Sequence, residues 1–204
     1  MTISYPVSLP NTTSIKRLRW TQSSVVGESR SPFTLSRQTY VHQGEAWMVE
    51  VELIPMVRAD AEAWLAWMLS LNGRQGSFLL GDVHGATARG TWLGESPVVQ
   101  GGSQTGKTLK VDGVAPFATA KAGDWFQLGS GSSARLHKLT ADATFDSGGE
   151  ATLDFWPRLR SSPSDNAALT IASAKGLFAL DSNENSWDVE EIIYGFRFSA
   201  LEVL

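Results

Sequence analysis

Trp47-Met48-Val49-Glu50-Val51-Glu52-Leu53-Ile54-Pro55, followed by Asp60-Ala61-Glu62-Ala63-Trp64-Leu65-Ala66-Trp67-Met68-Leu69, carries the change of period that decides the fold. In the first stretch Trp47, Val49, Val51 and Leu53 alternate with Met48, Glu50, Glu52 and Ile54, the period of two expected of a strand with one buried face. Pro55 ends it, because proline has no N–H to give to a ladder. The apolar spacing then becomes helical, and Asn72-Gly73 supplies the left-handed residues on which helices commonly stop. Upstream, strand formers run from Pro32 to Pro55 and break only at Gln43-Gly44, which implies a long hairpin. One hairpin is expected to feed one short helix.

That helix is too apolar for a single core. Trp64, Leu65, Met68 and Leu71 form the usual stripe, but Trp67 and Leu69 widen it, which implies a second buried face. Either another segment of the chain or another subunit covers Trp67. Large apolar patches tend to mark interfaces, so Trp64, Trp67, Met68 and Leu71 are the candidate assembly interface.

Composition excludes several classes. The 204 residues contain 42% hydrophobic side chains and no cysteine, enough for a core without disulfides and incompatible with thiolate metal sites or cysteine nucleophiles. The apolar runs are too short to span a bilayer, and the polar start lacks the regions of a signal peptide, so a soluble protein made in the cytoplasm is expected. Residues 1–83 and 84–172 are each charge-balanced, whereas residues 173–204 hold two basic against six acidic side chains. With no broadly basic face, binding to nucleic acid through phosphate neutralisation is not expected. The small basic cluster Lys16, Arg17 and Arg19 reads as a solvated strand edge.

The texture changes after Gly81-Asp82. Short strands are expected at 108–111, 124–128, 134–140, 150–156 and 168–171, most bounded by turn signals such as Asp112-Gly113 and Asp146-Ser147-Gly148-Gly149. That spacing, with no helix between, suggests a small β-barrel or sandwich. Heavier strands resume at Gly176–Leu180 and from Tyr194 to Val203. Two such strands make no core alone, so residues 173–204 are expected to return to the sheet begun by residues 1–83, with residues 84–172 inserted as a second domain.

Motifs that would carry chemistry fail on context. Gly101-Gly102-Ser103-Gln104-Thr105-Gly106-Lys107-Thr108 satisfies the phosphate-loop pattern, but the loop must open a helix and Leu109-Lys110-Val111 reads as a strand. His42, His84 and His137 are scattered, and Asp82 with His84 is too few ligands for a metal. No Gly-x-Ser-x-Gly elbow is present. No catalytic residue, metal or cofactor is assigned. Trp92, Trp125 and Trp156 sit among polar turns, where an exposed indole can stack on a sugar ring. Trp125 and Trp156 adjoin other strand aromatics and read as barrel core. Trp92 is the candidate glycan contact of an alternative reading, a carbohydrate-binding module for host-surface attachment.

Tyr5-Pro6-Val7-Ser8-Leu9-Pro10, Arg30-Ser31-Pro32-Phe33-Thr34, the Trp47-to-Pro55 strand, the Arg58-to-Leu71 helix, Gly76-Ser77-Phe78-Leu79-Leu80-Gly81-Asp82, Gly176-to-Leu180 and Asn183-Glu184-Asn185-Ser186-Trp187 together resemble the distal tail proteins of long-tailed, siphovirus-like bacteriophages. The resemblance covers the two ends and not the middle. It implies a mainly β structural protein of the virion: a β-sandwich or barrel ring-forming domain with one short α-helix (residues 1–83 and 173–204), plus an inserted, outward-facing, small β-barrel-like domain (residues 84–172). It implies a homo-oligomer, usually a hexameric ring, at the tail tip. Its partners would be the tail tube protein, the tail hub protein and the tape measure protein, with no specific nucleic acid and no membrane. Asp181, Glu184, Asp188, Glu190 and Glu191 are then candidate lumen-facing acids, where negative charge would keep passing DNA from sticking.

Overall fold

The computed structural model describes residues 3–204. The fold is mainly β, built of antiparallel sheets with one α-helix. In chain order the elements are β1 (Ile15–Arg30), β2 (Arg37–Leu53), β3 (Met56–Val57), α1 (Arg58–Leu71) and β4 (Ser77–Leu80). Then come the short strands β5 (Val98–Val99), β6 (Thr108–Asp112), β7 (Thr119–Ala120), β8 (Trp125–Leu128), β9 (Arg135–Leu139), β10 (Ala143–Thr144), β11 (Ala151–Trp156) and β12 (Leu169–Thr170). The chain ends with β13 (Gly176–Leu180), β14 (Trp187–Glu190) and β15 (Ile193–Glu202).

The first sheet runs β1-β2-β15-β13-β4, with β3 and β14 pairing the start of β15. The tail strands therefore lie in the middle of the sheet that the first eighty residues begin. Trp47, Val49, Val51 and Leu53 are all buried, as their alternation requires, and face Phe198 and Ala200 on β15. Helix α1 packs under this face. It ends where Asn72 takes the left-handed conformation (φ 51°), with the Asn72 N–H donating to the Leu69 carbonyl.

Trp64, Trp67, Met68 and Leu71 are buried inside the chain, which corrects their assignment to an assembly interface. Trp67 lies 5.0 Å from the ring of Phe78 and 5.3 Å from that of Phe198, so β4 and β15 supply the cover that the width of the helix demanded. Of the two residues that widened the stripe, only Leu69 is exposed. The hairpin is also longer than expected, and placed differently. Its turn is Ser31–Ser36, where the Ser31 hydroxyl accepts from the Phe33 and Thr34 N–H groups, and its first arm is β1. Gln43-Gly44 instead falls within β2, at an irregularity where Val26 pairs Val41 and Ser24 pairs Glu45.

The second sheet runs β12-β8-β9-β11-β6-β5 and is nearly closed. A bridge between Val98 and Ala168, with the Val99 N–H donating to the Ala167 carbonyl, joins its two ends. Phe126, Phe145, Phe155, Leu109 and Leu153 fill the interior. Trp125 and Trp156 are buried but do not belong to that interior. They point out of the barrel into the core of the first sheet, with Leu136.

Candidate functional site

Trp92, the candidate glycan contact, is fully buried in the barrel, and its indole Nε1–H donates to Asp124 Oδ2 at 3.1 Å. It cannot offer a stacking platform, and that assignment is corrected. Asp124 also accepts from the backbone N–H groups of Arg89 and Lys121. Burial pushes its pKa up, but these donors outweigh burial and hold it below the usual carboxylate value.

The phosphate-loop-like stretch leads into strand β6, and Lys107 reaches back 2.5 Å to Glu45 Oε1. Asp82 accepts from the backbone N–H of His84 and from Trp125 Nε1–H, a polar turn cluster. His137 is buried, stacked on Phe126, with Nδ1 2.8 Å from the Pro157 carbonyl; burial, aided by Arg160 and Arg135, pushes its pKa down to about 4. It holds a carbonyl in place in the barrel wall.

The barrel is fastened to the sheet along β13, where the Leu177 N–H donates to the Ala134 carbonyl and the Lys175 N–H to Gln127 Oε1, and through a tryptophan cluster. Trp20 and Trp47 of the hairpin meet Trp125 and Trp156, with Trp47 and Trp156 ring centroids 4.3 Å apart, and Trp47 Nε1–H donates to the Leu136 carbonyl at 3.0 Å. Two buried carboxylates flank this cluster. Glu45 accepts from the Arg158 N–H at 2.9 Å as well as from Lys107; burial would raise its pKa, but these partners bring it below the usual range. Glu202 accepts from the Trp47 N–H at 3.0 Å and from Arg160 at 3.1 Å, yet burial dominates and pushes its pKa up.

Beyond this junction the hairpin continues alone. β15 pairs β2 only from Met48 to Glu52, so, among the described residues, residues 24–44 form a two-stranded arm with both edges free. Seven residues from Ser24 to Arg30 extend it by roughly 20 Å at about 3.3 Å per residue. Val25, Val26, Phe33, Leu35, Tyr40 and Val41 are exposed along it, and Phe33 at its turn is 94% exposed. A lone two-stranded ribbon is marginal in water, and an exposed apolar edge invites pairing. The exposed apolar face that α1 lacks is found here.

A second apolar surface lies at the opposite end of the sheet. β15 runs antiparallel to β2, so its start, paired with β3 and β14, is the end farthest from the arm. Ile54, Val57, Val189, Ile192 and Ile193 are exposed there, beside a groove of about 610 Å³ between residues 10–14 and the start of α1. Among the described residues β14 pairs only β15 and leaves its outer edge free. Of the five acidic candidates, Asp188, Glu190 and Glu191 are exposed on the hairpin at this end, while Glu184, also exposed, lines a polar groove with Arg17, Arg19 and Arg197. Asp181 is half-buried in the same groove, and its carbonyl accepts from the Arg74 guanidinium. On the outer face of the sheet Lys16 pairs Glu52 at 2.6 Å and Arg19 pairs Glu50 at 3.5 Å, so the basic cluster is largely neutralised along its own strands.

The arm was missed by sequence reasoning, although a signal was present. Apolar residues on both faces of a strand between Val25 and Val41 do not fit a sheet buried on one side. Among the described residues, no helix is long and apolar enough to cross a membrane. No protein-family model matches the sequence, and no curated protein matches it.

Proposed function

We propose that the protein is a structural subunit of a phage tail tip, assembling into a ring, usually of six copies, that joins the tail tube to the central hub. The observation that carries this reading is the arm of residues 24–44, a ribbon with exposed apolar side chains that belong to neither buried core. A closed ring needs two different complementary surfaces on each subunit, and the chain has apolar surfaces at opposite ends of one sheet. Strand addition at the arm or at β14 would extend the sheet from one copy to the next. The resemblance of both ends of the sequence to distal tail proteins adds the location, the virion tail tip, and the neighbours: tube, hub and tape measure proteins. The barrel, fastened by the tryptophan cluster, would face outward as a rigid attachment. The acids of residues 181–191 would face the lumen. The work proposed for the protein is mechanical, with no reaction assigned.

Negative-stain electron microscopy of the purified protein over a range of concentrations, with light scattering for mass, tests this. Closed rings whose population grows with concentration are the expected result. Monomers at every concentration, alone and with purified tail tube protein, would overturn the reading.

A further inference from the structure

We propose that the cavity between the β8–β9 turn and the segment linking β11 to β12 binds a small phosphate ester that carries a free hydroxyl. The site goes beyond the ring reading and does not rest on it, since residues 128–167 of the barrel supply the whole lining. Its volume is about 220 Å³. Sites that enclose drug-sized ligands run to roughly 300–1,000 Å³, so this one takes a single small group.

Charge selects an anion. Arg135 and Arg160 line the cavity, and no carboxylate does. Arg135 has no salt-bridge partner among the described residues. Its Nη1 donates to the Ser132 and Ala134 carbonyls, which holds the guanidinium in place with N–H groups to spare. Arg160 gives Nη2 to Glu202, while its buried Nε–H has no partner among the described residues. Ser133, Ser161 and Ser164 add hydroxyls to the wall. Two guanidiniums and several hydroxyls offer more donors than the two oxygens of a carboxylate accept, and they suit the three of a phosphate ester. The larger groove beside Arg17, Arg19 and Arg197 holds four carboxylates to those three arginines, so it neutralises itself.

His137 selects the hydroxyl. The ring is 1% exposed and lines the cavity, packed between Phe126 and Phe155. A carbonyl only accepts, so Nδ1, 2.8 Å from the Pro157 oxygen, carries the proton and Nε2 keeps a lone pair. Burial keeps the ring neutral, so it adds an acceptor beside two cations where a third cation would otherwise stand. That combination fits an anion that brings an O–H with it.

Isothermal titration of the full chain at mildly alkaline pH and low salt tests the site. We expect sn-glycerol 3-phosphate to bind once per chain, with glycerol, glycerate and inorganic phosphate each at least about tenfold weaker. Glycerophosphoglycerol in parallel separates the sources: tighter binding than the monoester assigns a phosphodiester link, weaker binding a free monoester. Arg135→Gln should lower the affinity at least about tenfold. Ser164→Phe fills the cavity from an exposed position and should do the same with an unchanged melting temperature, which keeps the test sound should Arg135→Gln fail to fold. No binding of either ester at millimolar concentration, tighter binding of glycerate, or affinity unchanged by Ser164→Phe would overturn the site. Rings without ester binding overturn this site alone, whereas ester binding by a chain that never forms rings leaves it standing.

Discussion

His137 and Asp124 show how the barrel uses buried polar groups as fasteners. The buried His137 ring is neutral, with a pKa near 4 against about 6.5 when unfolded. As pH falls through 6.5 the unfolded chain takes up a proton that the native state refuses until pH 4. Stability from this group is therefore full above pH 6.5 and is lost as pH falls through that window. His137→Gln removes this dependence, so the stability gap between wild type and variant should shrink by roughly 2 kcal/mol between pH 7 and pH 4.5. Urea unfolding at the two pH values measures it, and a constant gap would contradict the assignment. Asp124 works with the opposite charge. Its pKa is lowered despite burial, so its contribution is present above the ordinary carboxylate range and is lost as pH falls through its depressed value. Asp124→Asn turns an amide N–H toward groups that already donate, and should cost about 2–4 kcal/mol in urea unfolding.

At the scale of elements, the apolar face of α1 is buried while the arm leaves apolar side chains exposed. Trp67→Ala empties a site between Phe78 and Phe198 and should cost about 3–5 kcal/mol of stability. Leu69→Ser, on the exposed side of the same helix, should change stability by less than about 0.5 kcal/mol. Thermal melts of the two variants separate a core helix from an interface helix; equal, small effects would return the helix to the interface. The sequence could not decide this, because the cover for Trp67 comes from residues 78 and 198, far along the chain. The same limit hid the burial of Trp92, whose partner Asp124 lies 32 residues on. Period-two alternation, by contrast, is local, so the buried face of β2 was legible, as were β13 from its short apolar run and the stop at Asn72. Strands β5, β7 and β10 are two residues long and carry no period to read. The Ser31–Ser36 turn escaped because its left-handed residue is Leu35, where a glycine would have marked it.

For the whole molecule, the barrel and the sheet share an aromatic junction placed at the root of the arm. Glu45 and Trp47, the residues of β2 next to the arm, are held by Lys107, Arg158, Leu136 and Glu202. The body thus has two cores and a braced root, while the arm beyond contributes nothing to either core. A chain of this plan should fold as a monomer and assemble through the arm. Replacing residues 25–44 by Asn-Gly joins the paired residues Ser24 and Glu45 through a two-residue hairpin turn and removes the arm alone. Sedimentation velocity of the full and shortened chains over the same concentration range is the most direct test. The full chain should grow to closed rings while the shortened chain remains a monomer with an unchanged melting temperature; rings from the shortened chain would contradict the account.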